Sequence, residues 1–237
     1  MESENLNVKF LNGGSLIIEG YKSPWNNREL WSTWNCDINL VKKMLGENLN
    51  NILEFGSYDG GDGIKYKYHF PKAHVYSIEP SPSCYEKIKQ LEKYGLKVFN
   101  YAISDVDGVM DFYETFDNNK NNYAPCGSLN KKLVSTTTGK IPLTVMDPIK
   151  VQTKRLETFC TEQNISIIDF LHVDVEGFSV EVLNGLGNLK PRGIYIEVAS
   201  ETHNHSEVVK GILEKDYVKI TTRGADEFWV LKSNPTI

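Results

Sequence analysis

A chain of 237 residues, 40% hydrophobic and 24% charged, holds enough material for one large folded domain with an extension, and this composition excludes a globally disordered polymer. A net charge of −5 without a Lys/Arg stripe argues against nucleic acid as the main partner. No apolar stretch is long enough to span a bilayer, the acidic start MESENLNVKF is unlike a secretory signal, and four scattered cysteines (Cys36, Cys84, Cys126, Cys160) read as reduced thiols, so the chain reads as cytoplasmic.

In chain order, VKFL and SLIIEG predict a hairpin around Asn12-Gly13-Gly14. Trp25, Trp31 and Trp34 follow in a turn-rich setting, and residues 1–35 read as a cap on a main domain spanning 36–237. CDINLVKKMLG predicts a helix ending at Gly46, NILEFGS a strand, GIKYKYHF a helix stopped by Pro71, and AHVYSIEP a second strand. SPSCYEKIKQLEKYG predicts a helix with Tyr85, Ile88 and Leu91 on one stripe. Its start is Ser81 with Pro82 at the first helical position, or Ser83 with Glu86 as a capping box.

LKVFNYAIS predicts a third strand and GVMDFYE an antiparallel fourth. Residues 115–150, with DNNKNN and STTTGK, read as a long substrate loop or insertion. The alternation then returns: RLETFCTEQNI helical, IIDFLHVDV a strand, SVEVLNGLGNL a helix, GIYIEVA a strand, HSEVVKGILEK a helix, then DYVKITT and DEFWVLK as closing strands. Alternating strands and helices predict an α/β fold with a mostly parallel sheet, in which ligands bind at the carboxyl ends of the strands.

Three motifs sit at such ends. Glu54-Phe55-Gly56-Ser57-Tyr58-Asp59-Gly60-Gly61-Asp62-Gly63 runs from an apolar strand through glycines into a helix. Its spacing is not G-x-G-x-x-G, and Asp59 and Asp62 would repel a pyrophosphate at the helix start. S-adenosyl-L-methionine (SAM) brings an ammonium and a sulfonium instead, which acids such as Glu54 favour. Glu79 ends the second strand, 25 residues after Glu54, where a carboxylate can accept both hydroxyls of a ribose. Asp174 and Glu176 follow the strand FLHV and fall on one side by alternation. They could take a proton, hold the methionyl amine or bind a divalent metal such as Mg2+; helix capping is the plainer alternative. His172 reads as a core histidine or a catalytic base.

EFGSYDG, SIEPSP, NYAISDVDG and DFLHVDVEGFSVEVLNG, in this order, resemble the FkbM-type SAM-dependent methyltransferases over roughly residues 50–200. The resemblance implies a class I methyltransferase (Rossmann-like) fold, with a seven-stranded sheet whose last strand is antiparallel, and O-methylation of a small molecule such as a sugar, glycan or natural product. It implies that Glu54, Gly56, Ser57 and Gly60 line the methionine part of SAM. Glu79 would hold the ribose, Ala102 and Ile103 with Ser104 would border the adenine, and Asp174 and Glu176 would flank the reacting methyl. The family usually has Lys where this chain has His172, so Asp174, Glu176 and His172 are together the candidates for the base. Two rivals stand beside this expectation: an NAD-binding oxidoreductase, and a non-catalytic SAM-fold module that binds a partner or sugar.

Overall fold

A computed structural model of the chain describes residues 6–11, 14–24, 29–33, 36–131, 143–198 and 205–233. Trp25, Trp34, the turn residues Asn12 and Gly13, and the STTTGK run lie outside the described residues. Strands β1 (Val8–Phe10) and β2 (Ser15–Ile18) form the expected antiparallel hairpin, and β3 (Leu30–Trp31) pairs with β2 to make a small three-stranded sheet.

The helix Ile38–Leu45 starts where the Asp37 side chain accepts from the backbone N–H of Asn39 and Leu40, and stops at Gly46. Three strands follow: β4 (Asn51–Phe55), β5 (His74–Ile78) and β6 (Leu96–Phe99). They are separated by the helix Gly61–His69, and by the helix Pro82–Ile88 with its 3-10 continuation Lys89–Tyr94. Ser81 is the cap of the second helix, accepting from the N–H of Cys84.

The expected strand LKVFNYAIS is two strands. β6 ends at Phe99, and Asn100 turns its amide back to donate to the carbonyls of Glu79 and Pro80. The chain then enters a second sheet, built from β7 (Ala102–Ser104), β8 (Gly108–Asp117), β9 (Asn122–Ser128), β10 (Leu143–Val145) and β11 (Ile149–Arg155). β8 is antiparallel, as expected, but it pairs with β9, β10 and β11 rather than with the main sheet. Much of the expected 115–150 loop is therefore strand. In β11 the burial alternates because one face of this sheet packs and the other meets water.

The chain returns to the main sheet after the helix Leu156–Glu162, through β12 (Phe170–Val173), β13 (Gly193–Glu197), β14 (Tyr217–Arg223) and β15 (Asp226–Leu231). The expected helix after β12 is shorter than its pattern, Ser179–Asn184, and the helix His205–Leu213 lies between β13 and β14. Main-sheet order is β14-β15-β13-β12-β4-β5-β6. Only β15 runs against the rest, antiparallel to both β13 and β14. This is the seven-stranded class I methyltransferase arrangement.

Side chains alternate between two cores. Ile52, Val75 and Phe170 face one, under the helices Ile38–Leu45 and Gly61–His69; Leu53, Phe55, Leu171 and Val173 face the other. Burial of the aliphatic and aromatic side chains of these two cores, at roughly 1.5–3 kcal/mol each, is the main force holding the strand tips in place.

Candidate functional site

A cleft of about 650 Å³ opens between the carboxyl ends of the main sheet and the second sheet. Gly56, Glu79, Ala102, Ile103 and Asp174 all line it, so the structure brings together five of the residues singled out from sequence. They come from the tips of β4, β5 and β12, which the parallel main sheet places side by side, and from β7 of the second sheet.

The turn after β4 is built by positive φ at Gly56, Tyr58 and Gly60. A Cβ on Gly56 would lie 1.7 Å from the carbonyl oxygen of Asp174, so this glycine lets the β4 tip close on the β12 tip. Tyr58 N–H donates to Glu79 Oε2 at 2.8 Å, and Ser81 N–H donates to Glu79 Oε1 at 2.8 Å. The Glu79 carboxylate is thus fixed by backbone donors while each oxygen keeps a second lone pair. Burial pushes its pKa up to about 7 against those two hydrogen bonds, and Glu114 adds to the rise.

Asp174 is raised well above the usual carboxylate range, first by burial and then by the charges of Glu197 and Glu176. Glu176 has a left-handed backbone, φ 49°, and its carbonyl accepts from Ser128 Oγ at 2.8 Å, so β9 of the second sheet holds this loop. Glu176 itself is pushed up by burial and relieved by a hydrogen bond with Cys126. Among the described residues no three His, Cys, Asp or Glu side chains are grouped to hold a metal ion.

Four expected residues, Glu54, Ser57, Gly60 and His172, lie behind the cleft wall. Ser77, Glu54, His172 and Tyr195 are register partners across β5, β4, β12 and β13, forming a polar row under the helix Gly61–His69. Ser77 Oγ donates to Glu54 Oε2 at 2.6 Å, and burial is the first cause that holds the Glu54 pKa high. Gly63 lets the helix sit on this row, since a Cβ there would meet Ser77 Oγ and Glu54 Oε2. His172 Nδ1 lies 2.9 Å from Tyr66 Oη, and burial lowers its pKa, so the ring is neutral in the sheet core. Ser57 is buried and its N–H donates to Ile78 O; Gly60 packs against Leu91.

Asp59 and Asp62 meet the N-terminal segment. Asp59 Oδ2 accepts from Trp31 N–H at 2.6 Å, Asp62 accepts from Thr33 N–H at 2.9 Å and Oγ1 at 2.7 Å, and Lys65 Nζ donates to Thr33 O. Two neighbours of the site escaped the sequence reading. Glu197 ends an apolar strand just as Glu79 does, a signal that was available. Glu114 ends the expected strand GVMDFYE, but nothing in the sequence puts it beside Glu79, which it reaches only through the fold of the second sheet.

Residues 54–219 match a family model described as the methyltransferase FkbM domain. A 2-O-methyltransferase, NoeI of Sinorhizobium fredii (strain NBRC 101917 / NGR234), is 30% identical over 158 residues. The match takes in 63% of this chain and 63% of NoeI, so the chain spans under two thirds of that relative. Among solved structures, the fibrillarin pre-rRNA processing protein of Methanococcus jannaschii is 13% identical with a TM-score of 0.45, covering 97% of this chain and 99% of that one. A putative caffeoyl-CoA O-methyltransferase of Staphylococcus aureus is 12% identical with a TM-score of 0.44, covering 78% and 76%.

Proposed function

This chain belongs to the FkbM methyltransferase family, and on that premise we propose that it moves the methyl group of SAM to a hydroxyl oxygen of a small molecule. The observation that carries the proposal is the single cleft that gathers Glu79, Ala102, Ile103 and Asp174 beside the glycine turn. Glu79 takes the ribose hydroxyls, Ala102 and Ile103 with the rest of β7 flank the adenine, and Gly56 and Asp174 mark the methionine end. Glu54, Ser57 and Gly60 act one layer back by shaping that turn. Residues 1–35 serve as a cap over the domain 36–237, and the strands within 115–150 supply a wall of the cleft.

In the step itself the acceptor oxygen attacks the methyl carbon, the C–O bond forms, the C–S bond breaks, and the electron pair leaves with sulfur as a neutral thioether. The sulfonium is already a good leaving group, so alignment and proton removal are what the protein supplies. Asp174 lines the cleft and takes the hydroxyl proton. Burial and the charges of Glu197 and Glu176 raise its pKa, and the ammonium and sulfonium of SAM would favour the ionised form that accepts the proton. No step is assigned to Mg2+. A neutral polyol such as a sugar suits these acids better than a phosphorylated acceptor, because like charges at the cleft would repel a phosphate. The likeness to NoeI, a 2-O-methyltransferase, supports oxygen as the accepting atom.

Calorimetry with SAM, S-adenosylhomocysteine and NAD, followed by labelled-methyl transfer to neutral and phosphorylated sugars with and without magnesium, tests this. The expected result is binding of the two sulfur nucleosides, no binding of NAD, and label on neutral hydroxyls. NAD binding in their place would overturn the proposal. Nucleoside binding with no transfer to any acceptor would make the chain a binding module.

A further inference from the structure

The β8–β9 ladder is irregular at one place. Tyr113 pairs with Ser128 and Thr115 with Ala124, so Glu114 alone stands opposite three residues, Pro125 to Gly127. Such a bulge re-aims side chains. Here it leaves Glu114 and Thr115 both buried, where a regular strand would turn one of them outward. Glu114 is 7% exposed and lines the same cleft as Glu79. Its backbone is pinned by Met146 N–H donating to Glu114 O at 2.9 Å.

The two carboxylates are bridged by one residue. Ser81 gives its N–H to Glu79 Oε1 and its hydroxyl to Glu114 Oε1. Among the described residues no other group donates to the Glu114 carboxylate, which leaves it with free lone pairs. A second buried acid next to Glu79 costs stability through repulsion and desolvation. A ligand that brings two adjacent hydroxyl donors to that spot repays the cost.

We propose that Glu114 is a second ribose-binding carboxylate, so that the vicinal hydroxyls of the cofactor are shared between Glu79 on the main sheet and Glu114 on the second sheet. The proposal rests on the cofactor assignment above and adds a specificity-determining residue to it. A hydrogen bond to a carboxylate is roughly twice as strong as one to a neutral amide, so removing either hydroxyl should weaken binding more in wild type than in Glu114→Gln.

The test is calorimetry of S-adenosylhomocysteine and its 2′-deoxy, 3′-deoxy and 6-desamino analogues against wild type, Glu114→Gln, Glu114→Asp and Ser81→Ala. Wild type should bind at least one deoxy analogue about tenfold or more weaker than the parent. In Glu114→Gln that penalty should shrink at least threefold, while in Ser81→Ala it persists. Because the readout is a ratio within each variant, a general loosening of the pocket does not mimic it. Glu114→Asp, which withdraws the carboxylate by one methylene, gives the same ratio if the Gln variant folds poorly. An unchanged deoxy penalty in Glu114→Gln overturns the proposal and leaves Glu114 as a prop for Ser81. A change in the 6-desamino penalty alone overturns it in favour of adenine recognition. Failure of wild type to bind the parent nucleoside overturns the cofactor assignment itself.

Discussion

At the scale of single residues, chemistry and packing divide along the pleat. His172 and Asp174 are two apart, yet the ring is buried against Tyr66 while Asp174 lines the cleft. His172→Leu should therefore act on stability. The Tyr66 hydroxyl loses its ring partner, at about 1–3 kcal/mol, and kcat stays within about threefold of wild type. Urea denaturation and steady-state turnover measure both; an unaltered unfolding midpoint with kcat down about a hundredfold would return His172 to the chemistry. Glu79 and Asp174 were legible in the sequence because an acid ending an apolar strand stands out against the run before it. Glu54 carries the same signal and sits under a helix, because the preference for a strand end does not say which face the side chain takes. Glu114 was illegible for another reason: its neighbour Glu79 is 35 residues away in the chain, and the bulge that turns it inward leaves no periodic trace.

At the scale of elements, the main sheet was readable and the second only in part, through β7 and β8, which fall in the expected strands LKVFNYAIS and GVMDFYE. β4, β5 and β12 are buried on both faces, so they read as largely apolar runs, broken inside only by Glu54, Ser77 and His172. β9 and β11 show water one face, and β11 carries Lys150, Gln152 and Lys154, so their hydropathy is that of a loop. The break at Asn100 separates two strands that composition joins. The contact between the β4 and β12 tips makes a sharp prediction. Gly56→Ala combines φ 84° with a methyl 1.7 Å from Asp174 O and should cost more than about 2 kcal/mol, with weakened nucleoside binding as Asp174 shifts. Gly46→Ala has φ 94° but open space around it. It should cost only the backbone strain and leave binding unchanged. Equal unfolding midpoints for the two variants would show that the tips are not packed as described.

At the scale of the molecule, the acids around the cleft link stability to pH. Burial raises Glu79 and Glu176 to about 7 in the folded protein, against roughly 4 in the unfolded chain. A raised carboxylate binds its proton more tightly when folded. Its stabilisation is complete below the unfolded pKa and is lost as pH rises through about 7. The lowered pKa of buried His172 works in the opposite direction. The clean observable is therefore the increment a cationic ligand adds. SAM favours the ionised carboxylates, so the thermal shift it produces should grow from pH 6 to pH 8. A shift independent of pH would mean that these acids are not its ionic partners.

Two separately hydrogen-bonded sheets meet at the cleft's rim, where Ser128 grips the carbonyl of Glu176, Ser81 bridges to Glu114 and Tyr58 Oη donates to Tyr123 O. A nucleoside wedged there works as a keystone. Loading it locks the smaller sheet to the larger, and the incoming acceptor then meets a surface whose rigidity the cofactor has already set.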